Sequence, residues 1–103
     1  MELTLLMVPA CPNAAAFEER LAAALAGHPG AVIRRQEIAD EQQAATAGLH
    51  GSPTLLIDGA DPFAGSDDAP SLSCRLYRDE AGRAARAPSV AALRQALEAA
   101  AQD

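Results

Sequence analysis

The chain contains no lysine and no tryptophan, and among its 103 residues there are two cysteines and three aromatic residues, Phe17, Phe63 and Tyr77. Each scarcity removes a class of function. All eight basic side chains are arginine, set against fourteen acidic ones, for a net charge of −6. Phosphate backbones and anionic membrane surfaces are bound by clustered Lys and Arg that displace counterions, so neither nucleic acid nor membrane is an expected partner. Long apolar runs are missing too. Leu3 to Val8 is six residues, whereas a spanning helix needs about 20. It follows Glu2 with no basic flank, which argues against a secretory signal. A soluble, cytoplasmic protein is expected. Two cysteines, Cys11 and Cys74, are too few for a disulfide framework, and a reducing compartment would keep them as thiols. With so few aromatics, the core must be built from Leu, Ile, Val and Ala, and the length suits one domain spanning residues 1–103. Abundant alanine with arginine as the sole basic residue reads as a GC-rich bacterial composition, not as a functional signal.

What is present is ordered. "LTLLMV" at 3–8 is a continuous apolar run bounded by Pro9, the pattern of a strand buried on both faces. From Asn13 to Ala26, Phe17, Leu21, Ala24 and Leu25 recur on one face at helical spacing while Glu18, Glu19 and Arg20 turn outward. Pro12 suits the first turn of that helix, and Gly27 with Pro29 ends it. "AVIRRQEI" at 31–38 is a weaker strand of the kind found at a sheet edge. Asp40 is placed to cap a short helix over roughly 41–47 that Gly48 closes. "SPTLLIDG" at 52–59 is a second strongly apolar strand. Residues 60–72 form a long loop rich in Pro, Gly, Ser and Asp, a length often tied to function. "SCRLYR" at 73–78 alternates as a strand, "DEAG" turns it, and "APSVAALRQALEAA" forms a last helix with Val90, Leu93, Leu97 and Ala100 inward. The order β-α-β-α-β-β-α predicts an α/β domain with one mixed four-stranded sheet flanked by helices.

Position 11 carries the chemistry. A thiol at a helix N-terminus meets unpaired backbone N–H groups and the positive end of the helix dipole, both of which favour the thiolate. The thiolate is the nucleophile and the metal ligand. The same cysteine can also be read as a small buried apolar residue at a strand end.

The element order, with "ACPNA" at 10–14 and "GSPT" at 51–54, resembles the thioredoxin superfamily over nearly the whole chain. More narrowly, "CPNA", "GSPTLLIDGADPFAG" and "SLSCRLYR" look like small bacterial thioredoxin-like proteins, some of whose relatives carry selenocysteine at the position of Cys11. Some bear the name alkylmercury lyase, but the paired cysteines and aspartate of a true organomercurial lyase have no counterpart here. The resemblance implies a thioredoxin-like fold and makes Cys11 the catalytic thiol. It places Pro12, Asn13, Ser52 and Pro53 around the substrate, with Pro53 as a cis-proline against Cys11 and Ser52 offering its backbone to an extended peptide. Taken by itself, Pro53 reads equally as an ordinary trans proline opening a strand. Ala14 departs from the pattern, since a cysteine there would close a local disulfide. With Ala14, Cys11 must complete its chemistry with a partner protein, a low-molecular-weight thiol or disulfide, or a distant cysteine.

In the resembled topology Cys74 falls toward the far end of the sheet, a structural or second-site thiol with a resolving role as the lesser alternative. His50 could approach Cys11 as a thiolate neighbour or be exposed and inert; His28 is assigned nothing. Phe63 reads as a loop anchor, Arg75 and Arg78 as the polar face of a strand, and Asp67 with Asp68 as a solvated loop tip. Three functions remain open. One is a monothiol redox protein that exchanges or reduces disulfides, or reduces peroxides, through Cys11. Another binds a soft metal or metalloid through Cys11 and Cys74. The last is a non-catalytic adaptor that binds a partner strand beside Pro53. No organic cofactor and no resident metal are expected, and the oligomeric state is left open.

Overall fold

The apolar run at the start forms β1 (Glu2–Met7), the central strand of a three-stranded sheet in the computed structural model. The structure describes residues 1–28, 30–64 and 69–101, so Pro29 and the acidic pair Asp67 and Asp68 lie outside the described residues. β1 pairs in parallel with β2 (Val32–Glu37) and antiparallel with the strand Thr54–Ile57. Its unbroken apolar character has a packing reason. Successive strand residues face opposite sides, and here both sides are covered. Leu3 and Leu5 are buried under α1 (Ala14–Ala24) and the last helix (Val90–Ala101), whereas Leu6 is buried with Ile38, Ala44 and Leu49 on the other side. α1 contributes Phe17, Leu21 and Ala24 to the first cluster, in line with its helical spacing, before tightening into a 3₁₀ turn at Leu25–Gly27. That cluster also takes Leu55, Tyr77, Leu93 and Leu97.

The second helix, α2 (Glu41–Ala47), is bounded by the expected residues. The Asp40 carboxylate accepts the Gln43 N–H at 2.8 Å, and Gln43 Oε1 accepts the Ala39 N–H at 2.8 Å. Gly48 ends the helix with φ +87, a left-handed conformation that costs glycine little.

The single four-stranded sheet does not form among the described residues. The segment read as one strand over 52–59 divides at a cis Ser52–Pro53 bond into β3 (His50–Ser52) and β4 (Thr54–Ile57), which join different ladders. β3 pairs in parallel with β5 (Ser71–Cys74). The strand expected over 73–78 also divides. Arg75 turns its guanidinium inward onto Asp61 and Thr54, Leu76 is 71% exposed, and pairing resumes only in the short antiparallel ladder of β6 (Tyr77–Arg78) and β7 (Ala84–Ala85). The described residues therefore make a mixed α/β domain of one three-stranded sheet, two two-stranded ladders and three α-helices, the last of which is α3 (Val90–Ala101). The start of α1 differs as well. Pro12 lies in a turn ahead of the helix, with the Cys11 N–H bonded to the Val8 carbonyl and the Ala14 N–H to the Cys11 carbonyl.

Gly51 explains how β5 comes so close to the cis-proline corner. Its φ is +100, and a Cβ there would lie 2.9 Å from the Arg75 Cβ, 3.2 Å from the Arg75 Cα and 3.3 Å from the Ser73 carbonyl oxygen. Strain in φ and overlap with backbone atoms act together. Gly51→Ala should therefore destabilise the fold by about 2–3 kcal/mol. Gly59→Ala, also at positive φ but with open space around it, should cost only about 1–2 kcal/mol. Urea denaturation of the two variants checks the order, and equal midpoints would contradict the close approach of β5.

Candidate functional site

Beyond β1 the chain must reverse to enter α1. It does so at Ala10, whose φ of +57 is left-handed, a conformation that costs a residue bearing a Cβ about 1–2 kcal/mol. Cys11 follows immediately, half-buried, and its sulfur lies 3.0 Å from the Ser52 hydroxyl. Ser52 is fully buried and its Oγ also accepts the Val8 N–H at 3.0 Å. With one lone pair committed to the amide, the hydroxyl proton is free to be donated to sulfur. Among the described residues, this is the hydrogen bond that reaches the Cys11 sulfur. It makes Ser52 a side-chain partner of the thiol, a role that the sequence reading, which considered its backbone, did not assign.

The remaining residues named from sequence are spread around this pair. Pro53 is buried directly after Ser52, through a cis bond. Pro12 is exposed, and Asn13 caps α1 through its backbone with no side-chain bond. The Ser52 carbonyl already accepts the Arg75 N–H at 3.0 Å, so an extended substrate could take that carbonyl only by displacing β5. His50 lines a cavity of about 430 Å³ with Phe63, Arg75, Tyr77, Arg78 and Pro88. Its Nδ1 is buried without a partner there. Cys74 is exposed, and its position is a correction to the topology read from sequence. It is the ladder partner of Ser52, at the thiol end of the molecule and not at the far end of a sheet.

Beneath the corner lies a polar and aromatic support that sequence reasoning missed. The Thr54 hydroxyl donates to the Gly51 carbonyl at 2.6 Å and accepts from the His50 N–H and from Arg75. Arg75, read as an outward-facing residue, is 8% exposed and paired at 2.6 Å with Asp61, whose side chain is 4% exposed. Its guanidinium sits 4.7 Å from the centre of the Tyr77 ring. Tyr77 packs edge-on between Phe17 and Phe63, confirming Phe63 as a loop anchor, and its hydroxyl donates to the Pro53 carbonyl at 2.5 Å. Burial pushes the Tyr77 phenol well above its ordinary range. The nearby Arg75 opposes this, while Asp61 and Cys11 add to it. The alternating pattern of "SCRLYR" places Arg75 and Tyr77 on one face, but nothing in the sequence pairs Arg75 with Asp61, fourteen residues earlier.

Among the described residues, no three His, Cys, Asp or Glu side chains cluster in a way that could hold a metal ion, and no helix is long and apolar enough to cross a membrane. Comparison with protein-family models found no matching model, and comparisons with curated proteins and with solved structures found no match either.

Two outcomes follow from the support. Asp61→Ala strands a buried guanidinium and should cost about 3–5 kcal/mol, whereas Asp61→Leu combined with Arg75→Met removes both charges and should recover most of that loss. Urea denaturation of the two variants beside the wild type decides it; near-neutral behaviour of Asp61→Ala would mean that Arg75 is solvated. Tyr77 holds its proton in the fold where the unfolded chain releases it near pH 10. The resulting stability is whole below that pH and is lost as pH rises beyond it. As Tyr77 is the only tyrosine and there is no tryptophan, absorbance at 295 nm follows it alone. No ionisation should appear near pH 10 before unfolding, and Tyr77→Phe should flatten the alkaline loss of stability.

Proposed function

We propose that this chain is a thioredoxin-like thiol–disulfide exchange protein of the bacterial cytoplasm, acting as a thiol-disulfide oxidoreductase through Cys11. The observation that carries the reading is the 3.0 Å bond from the Ser52 hydroxyl to the Cys11 sulfur, beside a cis Ser52–Pro53 peptide. A donor fixed on sulfur is oriented to stabilise the negative charge that the attacking thiolate carries and that returns when it leaves. The fold-level resemblance has support in the β1–α1–β2 parallel unit, in the antiparallel placement of β4 beside β1, and in a thiol that follows β1 and bonds to the residue preceding the proline ahead of β4. Its limit is equally concrete, because the fourth strand of such a sheet is replaced by β5 against β3.

In the exchange, the Cys11 thiolate attacks one sulfur of a disulfide, RS–SR′. A Cys11–SR bond forms as the S–S bond breaks, and R′S⁻ leaves with the electron pair. Ala14 offers no second thiol within the turn, so the first product is a mixed disulfide. The partner is a protein or a small thiol or disulfide, and no cofactor takes part. A soft-metal site has less support, since two thiolates with no cluster of three ligands among the described residues make a poor one-chain site. The adaptor reading needs a free strand edge at Ser52, and β5 occupies it.

Labelling of the reduced protein with iodoacetamide near neutral pH separates access from activation. Access alone favours Cys74, which is exposed, over the half-buried Cys11. The proposal expects Cys11 to be modified first. It also expects Ser52→Ala to slow that modification roughly fivefold, the worth of one hydrogen bond of about 1 kcal/mol. Faster labelling of Cys74, with no effect of Ser52→Ala on Cys11, would remove the reading.

A further inference from the structure

We infer that Cys74 is the in-chain resolving thiol for Cys11, so that the protein completes a two-thiol cycle despite lacking a second cysteine in its motif. The inference rests on the function proposed above and identifies which group finishes that reaction. The two cysteines converge on one residue from independent directions. Cys11 reaches Ser52 through its side chain, sulfur to Oγ at 3.0 Å. Cys74 reaches it through the backbone, as its partner in the β3–β5 ladder. Neighbouring strands stand roughly 4.8 Å apart, and laterally paired residues present their side chains on the same face. Cys74 is thus one strand spacing from the residue that holds the nucleophilic sulfur.

Three features make this placement specific. The Arg75 N–H bonds to the Ser52 carbonyl at 3.0 Å, which holds the Cys74–Arg75 peptide against the corner. Gly51 removes the Cβ that would push Arg75 away. Arg75 is in turn anchored on Asp61 and Thr54. Cys74 itself is free and exposed at the end of a four-residue strand whose ladder register is irregular between His50 and Ser52. Closing the bridge requires its Cα to lie within the roughly 4.4–6.8 Å of the Cys11 Cα that a disulfide accepts.

The chemistry closes without a further reagent. After Cys11 has formed its mixed disulfide with RS, the Cys74 thiolate attacks the Cys11 sulfur. A Cys11–Cys74 bond forms, the Cys11–SR bond breaks, and RS⁻ departs with the electron pair. The substrate disulfide has gained two electrons and the protein's two thiols have lost them. A dithiol reductant regenerates the protein by the same exchange in reverse.

The test treats fully reduced protein with one equivalent of 5,5′-dithiobis(2-nitrobenzoate), following released thiolate at 412 nm and intact mass without reductant. The wild-type chain should release two equivalents of thiolate and lose two hydrogens, with no dimer and a second release whose rate is independent of protein concentration. Cys74→Ser, at an exposed position, should release one equivalent and keep the adduct on Cys11. Cys11→Ser should lose the fast first release. A wild-type protein that stops at the Cys11 adduct, or that links two copies, overturns the resolving role while leaving Cys11 as the nucleophile. An adduct formed first on Cys74, at a rate unchanged by Cys11→Ser, overturns the proposed function itself.

Discussion

The Ser52 hydroxyl is the point on which the candidate site depends. It accepts the Val8 N–H, which fixes it to the end of β1, and it donates to the Cys11 sulfur. Those two bonds determine each other. An oxygen held by an amide donor on one side has a restricted arc for its own proton, and the sulfur lies in that arc. The side chain is fully buried, so water does not compete for either bond. Any displacement of the cis-proline corner relative to β1 would lengthen both at once. The geometry around the thiol is therefore a property of how two segments far apart in sequence are held together.

The holding is done from below. The Pro53 carbonyl takes the Tyr77 hydroxyl, the Gly51 carbonyl takes the Thr54 hydroxyl, and the Ser52 carbonyl takes the Arg75 N–H. Three consecutive carbonyls of the corner are thus satisfied by separate donors, as a buried backbone requires. Two of those donors belong to residues 75 and 77, and the third belongs to Thr54, which itself contacts Arg75. Charge is balanced in the same place, because Arg75 and Asp61 are buried as a pair and the guanidinium lies over the Tyr77 ring. A buried pair of this kind adds little net stability over an apolar substitute. What it supplies here is position, since the loop after β4 and the segment after β5 meet through it.

How much of this was legible in the sequence follows from the range of each interaction. β1, α1 and α2 were readable because their signals are local. Leu3 to Val8 is continuous, Phe17, Leu21 and Ala24 share a helical face, and Asp40 and Gly48 mark the two ends of α2 through their own neighbours. Cys11, Ser52 and Pro53 stood out through a resemblance, and the cis bond lies where it implied one. The breaks in the second half were not readable. Alternation over "SCRLYR" gives one strand as long as Arg75 is taken to face solvent, and only a buried carboxylate at Asp61 reverses that. The register that brings Cys74 to Ser52 likewise depends on an irregular ladder and on the space left by Gly51. Neither leaves a period in the sequence.

The position of Cys74 changes what Ala14 means. Where two cysteines share one turn, their disulfide closes a loop of a few residues and reports on little beyond that turn. A bridge between Cys11 and Cys74 would close a loop through β2, α2, β3 and β4, and it would tie the entrance of α1 to the strand that lies along β3. Closing a long loop restricts the unfolded chain far more than closing a short one, and the gain is reduced by whatever β5 gives up in moving toward Cys11. Gly51 and the Asp61–Arg75 pair set that second quantity, for they fix how far Cys74 starts from its partner. In such an arrangement packing at residues 51, 61 and 75 would contribute to the poise of the thiol pair, beside the Ser52 bond to the Cys11 sulfur.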